Sequence, residues 1–140
     1  MNESGSLFRL AGEFWYEHWN AERQWKDRIA NTEKALFYIN RKHETAIFGI
    51  GRKVDKLAKG WLDISGTNYF NIQFALDNNI EKRGSVFQDI PIKHPSDIDN
   101  WDEIYVIITS DLYDKEIQTQ LEQLGLSYSK DFISYKDLWN

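Results

Sequence analysis

The stretch TAIFGIGRKVDKLAKGW, Thr45 to Trp61, sets two glycines two residues apart between a short apolar run and a helical pattern. Ala46, Ile47 and Phe48 read as a strand that stops at Gly49. Val54, Leu57, Ala58 and Trp61 then recur at i, i+3, i+4 and i+7, the period of a helix with one apolar face. The segment predicts strand, tight turn, helix. Such a turn has two uses. It offers unpaired backbone N–H groups and the positive end of a helix dipole to an anion, or it serves only as a corner. Arg52 and Lys53 open the helix where first turns normally favour acidic residues, as the Asp111-Leu112-Tyr113-Asp114 opening does in this same chain. An anionic ligand would account for the two cations. Side chains extended into water, at a cost of about 0.3 to 1 kcal/mol, would also account for them. The third glycine of G-x-G-x-x-G is absent, because Val54 stands three after Gly51.

Outward from this turn the period alternates between strand and helix. Phe70, Ile72, Phe74 and Leu76 alternate with other residues up to a turn at Asp77-Asn78-Asn79. A short extended piece is expected over Ile90 to Lys93, with a brief helical turn after Pro95. Glu103 to Ser110, EIYVIITS, has the near-continuous apolar run of a strand buried on both faces. Leu112, Ile117, Leu121 and Leu124 follow as an amphipathic helix closed at Gly125, and Phe132-Ile133 gives a last strand. Ahead of all this, Phe14, His18, Ala21, Trp25 and Ile29 recur at helical spacing, with Trp15 and Trp19 on an adjoining stripe. This predicts one helix to about Ile29, a break capped near Asn31-Thr32, and a second helix to about Asn40. The apolar arc exceeds one stripe, so Phe14, Trp15, Trp19 and Trp25 are expected to form an interface, with a two-fold homodimer as the commonest outcome.

Composition limits the chemistry. A chain of 140 residues fits one folded domain, here divided into an N-terminal helical extension, 1–42, and a sheet domain, 43–140. It has no cysteine, which excludes a thiol nucleophile and a thiolate metal site. Net charge of −5 disfavours an extended nucleic-acid footprint. No apolar run approaches the roughly 20 residues of a membrane span. A cytoplasmic protein with no nucleic-acid partner and no membrane span is expected. His18, His43 and His94 are far apart, so no metal is expected. Tyr38 and Lys42 have a Tyr-x-x-x-Lys spacing but precede the first strand. No G-x-S-x-G elbow and no P-loop occur, and no catalytic residue is assigned.

Strands alternating with helices predict an α/β fold, a Rossmann-like parallel sheet of order 3-2-1-4-5 with helices on both faces. In such sheets ligands bind beyond the carboxyl ends of the strands where the order reverses. Gly49, Ile50, Gly51, Arg52 and Lys53, then Asp77 and Asn78, then Thr109 and Ser110 are the residues expected at that rim. Asp77 ends the second strand, where dinucleotide folds place the acid that accepts from a ribose diol; a turn aspartate is the other reading. Ser110 is most simply a helix cap and Glu116 a solvated acid.

Four stretches, IFGIG, FALDNN, EKRGSVFQDIPIKHPSDI and ITSDLYDKEIQTQLEQLG, together resemble the Rossmann-like module of bacterial surface-polysaccharide enzymes. That module precedes nucleotide-sugar epimerase/dehydratase domains and sugar acyltransferases and accompanies FkbM-like methyltransferases. The resemblance covers about residues 43 to 135. It implies a nucleotide or nucleotide-sugar pocket, with NAD as a further possible cofactor, lined by Gly49, Gly51 and Asp77, and docking to a glycan-biosynthesis enzyme. The large catalytic domain of those proteins has no counterpart here. An interaction or oligomerisation domain without ligand is the alternative.

Overall fold

Two side chains at the expected helix break decide how the chain enters its sheet. The Thr32 hydroxyl donates to the Arg28 carbonyl at 2.7 Å, and Asn31 Nδ2 donates to the Asp137 carbonyl at 3.2 Å. Both polar groups are satisfied without leaving helical geometry. A break would expose unpaired backbone groups at two new helix ends, of which a cap recovers only about 1 kcal/mol. The expected pair of helices is therefore one, α1, Glu3–Ile39. In this computed structural model, residues 3–51, 54 and 70–138 are described, residues 3–20 by their backbone alone. The expected helix of Val54 to Trp61 lies outside the described residues apart from Val54, which is helical and buried.

The strands are β1 (Glu44–Phe48), β2 (Ile72–Leu76), β3 (Val86–Phe87), β4 (Ile90–Lys93), β5 (Ile104–Ile108) and β6 (Phe132–Ser134), with a second helix α2 (Asp114–Gln123). They form a six-stranded sheet of order β3-β4-β2-β1-β5-β6. The sheet has one strand more than the expected five: β4, β2, β1, β5 and β6 pair in parallel in the expected sequence, and β3 is added at the edge. The sheet is mixed, because β3 turns back through Gln88 and Asp89, both at positive φ, to pair antiparallel with β4 at the edge. A two-residue strand carries no readable period, which is why alternation did not reveal it. The other pairings are parallel, with Ile47 opposite Ala75 on one side and Ile107 on the other.

Alternation in the strands builds two cores. Ile47, Tyr105, Ile107 and Ile133 face one way, against Ala35 and Ile39 of α1, Val54 and Leu138. Ala46, Phe48, Val106, Ile108 and Phe132 face the other, against Ile117 and Leu121 of α2. β1 and β5 are thereby covered on both faces, as their unbroken apolar runs require. Among the described residues no helix is long and apolar enough to cross a membrane.

A largely buried ion pair fastens the end of the sheet away from the glycine turn. Lys42 Nζ donates to Asp131 Oδ1 at 2.8 Å and to the Asp102 carbonyl at 2.7 Å. Burial pushes the Asp131 carboxyl up, but the bonds from Lys42 and from the Ser127 amide outweigh it and hold the carboxyl below its ordinary range.

Candidate functional site

At the opposite end of the sheet, β1 stops at a point where two chain segments crowd together. Gly49 has φ +108°, and a Cβ placed on it would lie 2.7 Å from Ser110 Cβ. The glycine is thus required by the close approach of the segment that follows β5. Thr109 completes the weld. Its amide donates to the Phe48 carbonyl at 2.9 Å, and its hydroxyl lies 2.8 Å from the Gly49 carbonyl and 3.1 Å from that of Phe48. Thr109 is fully buried, so it braces the rim from behind and offers no group to a ligand. Ser110 Oγ accepts from the Tyr113 amide at 3.0 Å, which closes the turn ahead of α2; the N-cap of α2 is Tyr113, so Ser110 is not the helix cap that was expected.

Asp77 has a similar internal task. Its Oδ2 accepts from the Ile50 amide at 3.0 Å and its Oδ1 from the Asn79 amide at 2.8 Å. Lys82 Nζ donates to the Ile50 carbonyl at 2.8 Å and stands 3.6 Å from Asp77 Oδ2. One carboxylate and one ammonium therefore hold the glycine turn after β1 to the turn after β2. The Ile50 amide, which a phosphate-cradling turn would point at its anion, is already given to Asp77.

Gly51 differs from Gly49. Its φ is not positive, and among the described residues a Cβ added there would meet no heavy atom within 4 Å. No packing against the described residues demands a glycine, and the residue lines a cleft of about 490 Å³.

That cleft lies beyond the carboxyl ends of β1, β2 and β5, where the strand order reverses on either side of β1. Its floor is Phe48, Gly49, Ile50 and Gly51, and one wall is Asp77, Asn78, Asn79 and Lys82. The facing wall is one side of α2 and its entry: Ser110, Tyr113, Glu116, Ile117 and Gln120. Asn78 and Gln120 clasp one another across it, with Nδ2 of Asn78 donating to Oε1 of Gln120 at 3.0 Å and Nε2 of Gln120 to Oδ1 of Asn78 at 3.1 Å. The match to a family model follows this geometry: C2185-like, N-terminal, fits residues 41–132, 92 of the 140 residues, and its span holds every residue of the cleft. The chain belongs to this C2185-like N-terminal family. No curated protein matches it.

Of the residues expected at the rim, Gly49, Ile50, Gly51, Asp77, Asn78 and Ser110 are brought together, while Thr109 lies behind them. Arg52 and Lys53 lie outside the described residues, as do the side chains of Phe14, Trp15 and Trp19. Trp25 is described and half exposed. Lys82 and Gln120 escaped the sequence reading. Lys82 is carried back to the turn by a 3-10 turn, Ile80–Lys82, whose cap Asn79 accepts from the Glu81 amide. Gln120 was open to inference, since it shares a helical face with Glu116. Among the described residues no three His, Asp or Glu side chains are placed to hold a metal ion.

The two glycines should separate in mutagenesis. Gly49→Ala combines a left-handed backbone with overlap against Ser110 and is expected to lower unfolding free energy by about 2 to 4 kcal/mol. Gly51→Ala should be neutral or stabilising by up to about 1 kcal/mol. Urea denaturation of both variants checks this, and equal effects would contradict the assignment.

Proposed function

We propose that this chain is a nucleotide-binding or nucleotide-sugar-binding module, with NAD as a related candidate, working in the cytoplasm in bacterial surface-glycan assembly. The observation that carries the binding reading is the cleft at the strand reversal, lined by Gly51, which no described neighbour requires to be a glycine. A Rossmann-like reading of the sheet agrees with it, since ligands of such sheets lie at this reversal. Lys82 has a third ammonium proton beyond those directed at Ile50 and Asp77. Arg52 and Lys53 follow the turn in sequence and would add charge for a diphosphate. The glycan context rests on the resemblance of the four quoted stretches alone. No residue is assigned to catalysis, because among the described residues of the cleft no nucleophile is hydrogen-bonded to a base.

Thermal denaturation and calorimetric titration with nucleoside diphosphates, nucleotide-sugars and NAD test this reading. A ligand that binds only the native state adds about 2.7 kcal/mol at a hundredfold excess over Kd, expected here as a rise in Tm of several degrees. Absence of heat and of any shift across the panel at millimolar ligand would overturn it.

A second reading, an oligomerisation helix, is favoured by the exposure pattern of α1. Thr32, Ala35 and Ile39 are buried, whereas residues 21–28 are all exposed, and Trp25 is 53% exposed. Helices of this kind gain most of their stability from tertiary packing of an apolar face, and a second copy of the same face would supply it. Light scattering should then give a dimer mass that Trp25→Glu, alone or with Trp15 and Trp19 changed, halves without unfolding. A monomer at high micromolar concentration would exclude the homodimer.

A further inference from the structure

Two carboxylates line the cleft, and their surroundings differ. Asp77 directs one oxygen at the Ile50 amide and Lys82 and the other at the Asn79 amide, and its side chain is only 14% exposed. Both of its oxygens are engaged by the loops it joins. Glu116 is exposed on the facing wall, and no hydrogen bond or ion pair engages its carboxylate among the described residues. An ionised carboxylate has about four lone-pair sites, and all of those on Glu116 are open to a ligand.

The neighbours of Glu116 define what it would recognise. Gln120 stands four residues after it on the same face of α2, and Tyr113, the residue just ahead of α2, lines the same wall, so ring, carboxylate and amide lie along one side of the cleft. The reciprocal bonds between Asn78 and Gln120 use one N–H of each amide and leave the other, so each retains a donor for a ligand hydroxyl. The half-exposed ring of Tyr113 supplies a flat apolar surface at the rim. A carboxylate that accepts two O–H groups, amide donors beside it and an aromatic face together complement a vicinal diol on a sugar ring.

We propose that Glu116, flanked by the Asn78–Gln120 pair, accepts the vicinal diol of the ligand's sugar, and that Asp77 is a positioning residue that holds the glycine turn. This rests on the nucleotide reading above and reassigns the role that the end of the second strand was expected to fill.

Calorimetric titration with uridine and adenosine diphosphates and their 2′,3′-dideoxy counterparts tests the assignment, on wild type, Glu116→Gln and Asp77→Asn. Wild type should prefer the diol form by roughly ten- to a hundredfold, the range of a hydrogen bond to a charged group. Glu116→Gln should erase that preference while binding the dideoxy form as wild type does, with an unchanged circular dichroism spectrum. Asp77→Asn should lower Tm and weaken both forms alike. Retention of the full diol preference in Glu116→Gln, or its loss in Asp77→Asn alone, would overturn the assignment while leaving nucleotide binding intact. Wild type that binds neither form would overturn the nucleotide reading and the assignment together.

Discussion

With Ser110 Cβ only 2.7 Å from where a Cβ of Gly49 would stand, the segments leaving β1 and β5 meet at a contact that admits no side chain. The rest of the candidate site depends on this approach. It lets Thr109 bond the Phe48 and Gly49 carbonyls, so the two central strands end at one level. It sets Ser110 where its hydroxyl accepts from the Tyr113 amide and closes the turn that leads into α2, one face of which lines the cleft. Asp77 and Lys82 then fasten the same turn to the end of β2. Three strand ends are thereby locked together, and Gly51 lines the space between them. The paired glycines differ in role: Gly49 makes the corner, and Gly51 lines the cleft without a described neighbour that requires it.

What the sequence discloses follows from how local the cause is. β5 is readable because burial on both faces makes Ile104 to Ile108 apolar without interruption. The opening strand and α2 are readable for the same reason, since each carries its own period. The continuity of α1 is not readable. Asn31 and Thr32 are ordinary capping residues, and the Asp137 carbonyl, 106 residues away, and the Arg28 carbonyl give them other partners. β3 is too short for a period and is defined only by its pairing with β4. In the site, the turn residues were located by topology. The commitment of Asp77 to backbone amides was hidden, because an aspartate after a strand looks the same whether it faces a ligand or a loop. The face shared by Glu116 and Gln120 was present in the helical spacing, and the clasp with Asn78 gives it meaning.

The two ends of the sheet do different work. At the β1 entrance, Lys42 and Asp131 form a pair little exposed to water, and removal of either partner would strand a charge in a poorly solvated place. At the other end the charges are arranged around a space. Asp77 and Lys82 offset one another there and Glu116 remains open, so the described lining carries one uncompensated carboxylate. A ligand with hydroxyl donors suits that wall, and a phosphate suits Lys82 and the cations that follow Gly51 in sequence. The family match spans the cleft but begins beyond α1, so this helix is an addition to the matched region.

The central claim is that a ligand occupies the cleft between the ends of β1, β2 and β5. The most direct measurement is an amide chemical-shift map of the 15N-labelled protein titrated with a nucleoside diphosphate or nucleotide-sugar. The account predicts saturable shifts at Gly49 to Gly51, at Asn78 and Asn79, and along Ser110 to Gln120, with the Lys42 and Asp131 end of the sheet unmoved. Shifts that are absent across the panel, or confined to α1 and the β3–β4 hairpin, would contradict it.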